Sequence, residues 1–199
     1  MKTIKEIEEK LIKFVDEMKK DIEELKKGDK KAPEPGKVIK IADISWIILD
    51  KTEQGYIALA EKKIDSRIFG NDNDWKESEI REYLNGEFAE MIEKKIGCKL
   101  PEFDRDLLSM DGQAEYGSCM DKVSMISADE YRKYRRFIPN GKDGYWWTIT
   151  PDSTKCNDDS TCIRVVSPSG SFNYNFYDYC DGVRPFCIFP SSIFESEEK

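Results

Sequence analysis

The sequence predicts an α+β fold in which helices come early in the chain and strands dominate its end. Residues 1–27 and 71–97 carry apolar side chains at steps of three or four, the spacing of one helix face. Between residues 145 and 189, short apolar and aromatic runs alternate with segments rich in Gly, Pro, Ser, Asn and Asp. That alternation is typical of short strands joined by turns.

The first element is predicted to be an amphipathic helix over residues 1–27. Its apolar stripe consists of Ile4, Ile7, Leu11, Phe14, Met18, Ile22 and Leu25. The residues that break the helical pattern afterwards are Gly28, Pro33, Pro35 and Gly36, so residues 28–38 are interpreted as a linker. The stripe is short for a coiled coil. The sequence leaves open whether it mediates self-association or packs back onto the rest of the chain.

Residues 39–194 are predicted to form one domain that begins with a β-hairpin. The segment ADISWIILDKTEQGYIALAEKKI, residues 42–64, has two apolar runs separated by a polar stretch containing Gly55. Residues 71–97 follow as a helix, with Gly97 as its C-terminal stop. The acidic and amide run at its start lacks the ligand spacing of the helix-loop-helix calcium motif, so we predict no metal site there.

A second domain helix is predicted to begin at Ala128. Ser127 ends a short predicted strand, and Glu130 follows three residues later, which is the spacing of a capping box.

The remaining chain is predicted to be strands and loops. The predicted strands are Tyr145–Ile149, Cys162–Val166 and Val183–Phe189. Pro185 lies inside the last of these, which favours an edge or bulge position over a central strand because proline has no N–H to donate. The segments between the runs are predicted to be loops.

Charge and hydropathy limit the partners and the location. The chain has 32 Lys and Arg against 40 Asp and Glu, a formal net charge of -8, which argues against a nucleic-acid partner. The apolar run Ile44–Leu49 is far too short to span a bilayer. The N-terminus is charged where a signal peptide needs its apolar stretch. We therefore expect a soluble chain without membrane insertion, and the sequence leaves its route to any surface open.

The cysteines allow two interpretations. They are Cys98, Cys119, Cys156, Cys162, Cys180 and Cys187. Their spacing matches no zinc knuckle or CxxC motif, and the chain has no His, so no metal site is predicted. They are either small buried apolar residues or members of one or two disulfides, with Cys156 and Cys162 as the first candidate pair.

One C-terminal segment has an unusual composition. The chain contains 24 Lys and 21 Glu, yet residues 156–194 contain no Lys, Glu, Gln, Met or Trp. Strands are generally poor in Lys and Glu, but this segment is also rich in Asn, Asp and Ser, so burial does not explain the absences. Its stretch FNYNFYDY, Phe172–Tyr179, holds five aromatics interleaved with Asn and Asp. That mixture is typical of antibody-like binding loops.

Four motifs in order carry a family resemblance. They are WKESEIREYLNGEF, DKVSMISADEYRKY, GYWW and GVRPF, at residues 75–88, 121–134, 144–147 and 182–186. Residues 39–189 resemble the C-type-lectin-fold target proteins of diversity-generating retroelements, within a family of bacterial, archaeal and phage domains that end in GVRP or GFRP. The resemblance implies a C-type-lectin-like fold with two helices, a β-hairpin and a loop-rich C-terminal β region. The N-terminal helix lies outside it.

The resemblance also implies a hypervariable binding protein rather than an enzyme. In that family, error-prone reverse transcription randomises adenines, and an AAC-type codon randomised at its first two bases cannot encode Lys, Glu, Gln, Met or Trp. The absences in residues 156–194 fit this set. The implied partner is a variable protein or cell-surface ligand, without a cofactor. The implied function is recognition of surfaces by a protein without one fixed ligand.

We predict two groups of site residues. The variable ligand-binding face comprises Thr148, Thr150, Asp152, Ser153, Asn157, Asp158, Asn173, Tyr174, Asn175, Tyr177, Asp178 and Tyr179. The scaffold that supports it without varying comprises Trp146, Trp147, Val183, Arg184 and Phe186. For Arg184 we favour a structural role, in which the guanidinium binds loop carbonyls, over binding of an anionic ligand.

Two other functions remain as alternatives. Formylglycine-generating enzymes are similar in fold to this group and use cysteines, which would involve Cys180 and Cys187 in a redox role. The chain has no His for acid-base work and no basic residue close in sequence to Cys180. The other alternative is a lectin-like carbohydrate binder of fixed specificity, although the calcium-binding signatures of C-type lectins are not evident.

Overall fold

The computed structural model describes residues 10–20, 32–141 and 144–194. The chain divides into two units, Met1–Pro33 with Ser192–Lys199, and Glu34–Ser191. In the first unit, residues 10–20 form helix α1. Its side chains from Leu11, Phe14 and Met18 are 62%, 59% and 47% exposed. The rest of the predicted helix, including Ile4, Ile7, Ile22 and Leu25, and the first part of the predicted linker lie outside the described residues.

The described part of the second unit contains three α-helices, namely α2 (Glu79–Tyr83), α3 (Ala89–Ile96) and α4 (Ala128–Tyr134). The helix predicted within residues 71–97 is interrupted, because Leu84–Phe88 is π-helical with a kink at Gly86. At this interruption the Asn85 amide oxygen accepts from the backbone N–H of Lys122 at 2.8 Å. The π-helical widening therefore lies where the Asn85 side chain bonds the backbone at Lys122.

Both predicted helix boundaries with specific chemistry are confirmed. Gly97 ends α3 in the left-handed conformation, with φ 75°, which glycine adopts without steric cost. The capping box at α4 is complete, since the Ser127 side chain accepts from the Glu130 N–H and the Glu130 carboxylate accepts from the Ser127 N–H.

The described strands form two larger sheets and a hairpin. In chain order they are β1 (Val38–Ile41), β2 (Ile44–Thr52), β3 (Gly55–Ala60), β4 (Asp65–Arg67), β5 (Phe103–Asp106), β6 (Ser118–Asp121), β7 (Val123–Ser124), β8 (Trp146–Pro151), β9 (Cys162–Val166), β10 (Phe172–Phe176), β11 (Asp181–Val183) and β12 (Phe186–Phe189). The first sheet has the order β1-β2-β3-β12-β7, the second has the order β10-β9-β8-β11-β4, and β5 pairs with β6. The α+β class is thus confirmed.

The first sheet is antiparallel and contains the predicted hairpin of β2 and β3. Gly55 opens β3 at φ 142°, and a Cβ built there would lie 2.1 Å from the Phe189 carbonyl oxygen. The hairpin turn therefore requires glycine for both conformation and close approach.

The final apolar run is divided between the two sheets. β11 belongs to the second sheet, where it pairs in parallel with β8 and antiparallel with β4. β12 belongs to the first sheet and lies between β3 and β7. Pro185 lies between the two strands, so the single strand predicted over Val183–Phe189 is wrong. The proline marks a crossover, and the strand after it is central rather than at an edge.

The structure also corrects the prediction that the aromatic stretch is a loop. Phe172–Phe176 forms β10, which pairs with β9 from Phe172 opposite Val166 to Phe176 opposite Cys162. β10 is the edge strand of the second sheet. In the ranges that the structure describes, no helix is long and apolar enough to cross a membrane.

Candidate ligand-binding face

Three large aromatic side chains are exposed together at the edge of the second sheet. Tyr174 is 52% exposed, Phe176 is 45% exposed, and Tyr179 in the following turn is 51% exposed. The rings of Phe176 and Tyr179 meet edge to face, with centroids 5.6 Å apart. We refer to Tyr174, Phe176 and Tyr179 as the aromatic face. Exposed aromatics grouped in this way are typical of interaction sites rather than of cores.

The position of α4 explains why these rings remain exposed. Side chains at 172, 174 and 176 lie on the same side of β10, because side chains alternate along a strand. Phe172 packs against Tyr131 of α4, with ring centroids 5.1 Å apart, and against the buried core. The helix covers only this end of the strand. Tyr174 and Phe176 lie on the same side but beyond this end, where they remain exposed.

An arginine on the neighbouring strand extends this surface. Arg164 of β9 lies opposite Tyr174, and its guanidinium carbon is 5.8 Å from the ring centroid. It forms an ion pair with Asp152, whose side chain is partly exposed. Arg164 Nε is the one buried side-chain polar atom in the described part of the chain that has no hydrogen-bond partner. The charged pair of Arg164 and Asp152 therefore lies beside the aromatic face.

The turn after β10 is held mainly through its backbone. The Tyr177 N–H donates to the Thr161 carbonyl at 2.9 Å, and the Tyr177 carbonyl accepts from the Phe69 N–H at 2.8 Å. Asn175 donates to the Asp181 carboxylate. Burial raises the pKa of Asp181, partly offset by this hydrogen bond. Because main-chain contacts hold the turn, most of its side chains are free to change without loss of these bonds.

A loop that the sequence did not single out anchors the other predicted binding segment. Asp111 accepts from the Ser153 hydroxyl at 2.7 Å and from the Asn157 amide at 3.3 Å. Glu115 accepts from the Cys156 N–H at 2.8 Å. Hydrogen bonds from the Ser109 and Ser153 hydroxyls lower the pKa of Asp111. The sequence did not predict this role for Asp111 and Glu115, because carboxylates in a Gly-containing stretch are typical of solvent-exposed turns.

Asn73 also holds the segment around Ser153 in place. It lies in the acidic and amide run that could have suggested calcium, and it is 0% exposed. Its amide donates to the carbonyls of Ser153 at 3.0 Å and Cys162 at 3.1 Å, and its oxygen accepts from the Tyr116 hydroxyl at 2.7 Å. The residue therefore satisfies backbone groups of the loop.

The structure divides the predicted variable face into exposed and buried positions. The exposed or partly exposed ones are Asp152, Asn157, Asp158, Asn173, Tyr174, Asn175, Tyr177, Asp178 and Tyr179. Thr148, Thr150 and Ser153 are buried, at 0%, 6% and 7% exposure, so their placement on the surface is corrected. The two threonines are buried because every residue of the central strand β8, Trp146–Pro151, is buried, so both faces of that strand are covered.

The buried threonines have internal hydrogen-bond partners. The Thr148 hydroxyl donates to the Arg164 carbonyl at 2.8 Å. The Thr150 hydroxyl accepts from the Ala128 N–H at 3.0 Å, at the start of α4. Both side chains therefore serve the scaffold: Thr148 bonds the backbone of β9, and Thr150 bonds the start of α4.

The predicted support residues all lie in the interior. Trp146, Trp147, Val183, Arg184 and Phe186 are between 0% and 5% exposed. The Trp147 indole donates to the Arg67 carbonyl at 2.9 Å. Arg184 donates to the carbonyls of Ala60 and Glu61, which are the loop contacts expected for a structural arginine. Arg184, which follows β11 of the second sheet, thereby connects to the end of β3 in the first sheet.

All six cysteines are free thiols in the structure, so the pair of Cys156 with Cys162 is not formed. Cys187 of β12 is fully buried, and burial raises the pKa of its thiol well above the ordinary value. Such a thiol is a poor nucleophile because the thiolate is the reactive form. The geometry thus gives no support to a redox role that involves Cys187.

Thiol titration should rank the cysteines by exposure. Cys180 and Cys156 are exposed, and we expect both to react with a chromogenic disulfide reagent in the native protein. Cys156 should be the slower, since its hydrogen bond to Glu115 raises its pKa. Cys187 should react only after denaturation. Rapid labelling of Cys187 in the folded protein, located by peptide mass spectrometry, would contradict this arrangement.

Comparison with known proteins places the domain in a family. A family model described as a domain of unknown function, DUF6273, matches residues 45–191. The match begins in β2 and includes every later strand and helix, together with the aromatic face. It excludes α1 and β1. No curated protein and no solved structure matches the chain. This family model covers most of the chain, and the chain therefore belongs to the DUF6273 family.

Proposed function

We propose that this chain is a ligand-binding protein that uses the aromatic face to contact a protein or cell-surface ligand. The observation that carries the proposal is the joint exposure of Tyr174, Phe176 and Tyr179 in a segment without Lys or Glu. Large aromatic side chains at the centre of a surface supply most of the free energy of binding in typical interfaces. Asn173 and Asp178 beside them are exposed and offer adaptable hydrogen bonds.

The proposal includes a C-type-lectin-like scaffold and retroelement-directed variation of the exposed positions. Two features support it. Residues 156–194 lack the amino acids that such variation cannot produce. The exposed positions also lie on a strand and turn that backbone hydrogen bonds hold in place, so changes of side chain there leave the scaffold intact. The exposed apolar side chains of α1 suit self-association.

Sequencing the gene across its source population tests the variation directly. Substitutions should concentrate at adenine-derived codon positions for the exposed residues of 152–179, while Trp146, Trp147 and Gly182–Pro185 stay fixed. Thr148 and Thr150 should vary less than the exposed positions because they are buried. If residues 148–181 vary no more than the chain upstream, the hypervariable function is wrong. A carbohydrate binder of fixed specificity then becomes the better hypothesis.

Stability measurements should separate a binding role from a packing role for the aromatics. We expect Tyr174→Ser and Tyr179→Ser to change the free energy of unfolding by no more than about 0.5 kcal/mol, because exposed side chains contribute little to stability. Phe172→Ser, on the same side of the same strand but packed on Tyr131, is the matched control and should cost about 2 kcal/mol or more. Urea denaturation measures all three. Equal losses at positions 172 and 174 would show that Tyr174 belongs to the core.

A further inference from the structure

A cavity in the unit Glu34–Ser191 shares no residue with the aromatic face. It has a volume of about 290 Å³, and its lining includes Glu61, Lys62, Lys63, Asn140, Trp146 and Arg184. Small-molecule sites are typically concave and of about this size or larger, with a few polar groups on an apolar lining. Three cationic side chains and one anionic side chain line this cavity, in a chain whose net charge is -8.

Arg184 is the unusual feature of this cavity. The residue is 4% exposed, and no carboxylate of the described residues forms an ion pair with its guanidinium. Its Nε donates to the Ala60 carbonyl at 3.0 Å, and one terminal nitrogen, Nη2, donates to the Glu61 carbonyl at 3.1 Å. The other terminal nitrogen, Nη1, forms no hydrogen bond within the part of the chain that the structure describes, and it is not among the fully enclosed polar atoms, which leaves it open to the cavity that Arg184 lines. Burying a cation is costly, and the Glu61 carboxylate on the same cavity lining offsets this cost only from beyond ion-pair distance.

The surroundings hold this guanidinium in place without neutralising it. Its central carbon is 4.5 Å from the centroid of the Trp146 ring, a cation-π contact that is favourable but leaves the charge intact. Burial lowers the pKa of Arg184 to about 10, which still leaves the group protonated at neutral pH. Lys62, which is exposed at the cavity edge, adds a further positive charge. The arrangement is complementary to a negative charge.

We propose that this cavity binds a small anion with a carboxylate or phosphate group, which accepts a hydrogen bond from Arg184 Nη1. Charge-assisted hydrogen bonds of this kind are among the stronger ones in proteins. With Nε and Nη2 already bound to carbonyls, Arg184 offers the anion one nitrogen rather than a two-pronged grip. Lys62 supplies attraction at the cavity edge, and Trp146 keeps the guanidinium oriented.

Isothermal titration calorimetry with inorganic phosphate and with acetate, at low ionic strength, tests this site. The intact chain should bind at least one of the two anions saturably at one site. Binding of phosphate alone assigns a phosphate ligand, binding of acetate alone assigns a carboxylate ligand, and both outcomes support the proposal. Absence of saturable binding by either anion overturns it.

Charge reversal at the cavity edge supplies the control. Lys62→Glu should weaken anion binding by about tenfold, because it replaces attraction by repulsion beside a partly dehydrated site. Lys37→Glu makes the same change of charge at an exposed position that does not line the cavity, and should leave affinity within about twofold. Equal weakening by both variants means that only the net charge matters, and the proposal is then wrong. Tyr174→Ser should not affect anion binding.

Discussion

Replacing Arg105 by Ala is expected to lower the free energy of unfolding by about 3 to 4 kcal/mol. Arg105 is 3% exposed, and its two terminal nitrogens each lie 2.6 Å from a Glu130 carboxylate oxygen. Its Nε donates to the Ser124 hydroxyl at 3.1 Å. One change therefore removes a two-pronged ion pair and leaves buried acceptors without their donor.

The measurement is urea denaturation of the intact chain, with Arg132→Ala as the matched control. Arg132 also pairs with a carboxylate, that of Asp129, but both side chains are largely exposed. Exposed pairs of this kind contribute about 1 kcal/mol or less. If Arg105→Ala costs no more than Arg132→Ala, the ion pair at α4 does not hold the fold together.

Acid titration of the same proteins gives an independent check. Burial alone would raise the pKa of Glu130, but the charge of Arg105 and hydrogen bonds from Ser127 outweigh it, and the pKa lies below its ordinary value. A carboxyl whose pKa is lower in the folded state stabilises the protein above its unfolded pKa, and this contribution is lost as pH falls through the folded value. Arg105→Ala should therefore show a smaller loss of stability in acid than the intact protein.

Replacing Trp147 by Ala is expected to lower the free energy of unfolding by about 3 to 5 kcal/mol. Trp147 is 0% exposed, and its ring packs against Phe69 with centroids 5.6 Å apart. Its indole N–H donates to the carbonyl of Arg67, the last residue of the edge strand β4. The substitution leaves a large cavity in the second sheet and removes a buried hydrogen bond.

Thermal and urea unfolding of Trp147→Ala should be compared with Trp147→Phe and Tyr179→Ala. Trp147→Phe retains a ring but loses the N–H donor, and should fall between the intact protein and Trp147→Ala. Tyr179→Ala removes a ring that is 51% exposed and should change the free energy of unfolding by about 0.5 kcal/mol or less. A cost for Trp147→Ala below about 1 kcal/mol would show that Trp147 does not hold the second sheet together.

The sequence predicted the elements whose signals are local. Glycine at position 97 specifies a helix end because it adopts a positive φ without steric cost. Ser127 and Glu130 specify a helix start because each satisfies the other's backbone N–H. The hairpin around Gly55 followed from two apolar runs and a turn. In each case the physical cause lies within a few residues of the chain.

The sequence did not show which residues of the predicted binding face are buried. Of the residues predicted for this face, Tyr174 and Tyr179 are exposed, whereas Thr148 and Thr150 are buried. Their burial follows from cover on both faces of β8, whose residues are all buried. No local pattern in residues 146–151 specifies which strands will flank them, because those partners come from distant parts of the chain.

The sequence alone therefore determined the α+β class, the helix ends and the unusual composition of residues 156–194, since these depend on near neighbours and residue type. Only the tertiary structure decided that Phe172–Phe176 is an edge strand with one covered end. The tertiary structure alone places Arg184 in contact with the Trp146 ring and with the carbonyls of residues 60 and 61. Contacts between residues far apart in the chain, such as Arg184 and Ala60, arise from sheet pairing and crossover, which the periodicity of a single segment does not encode.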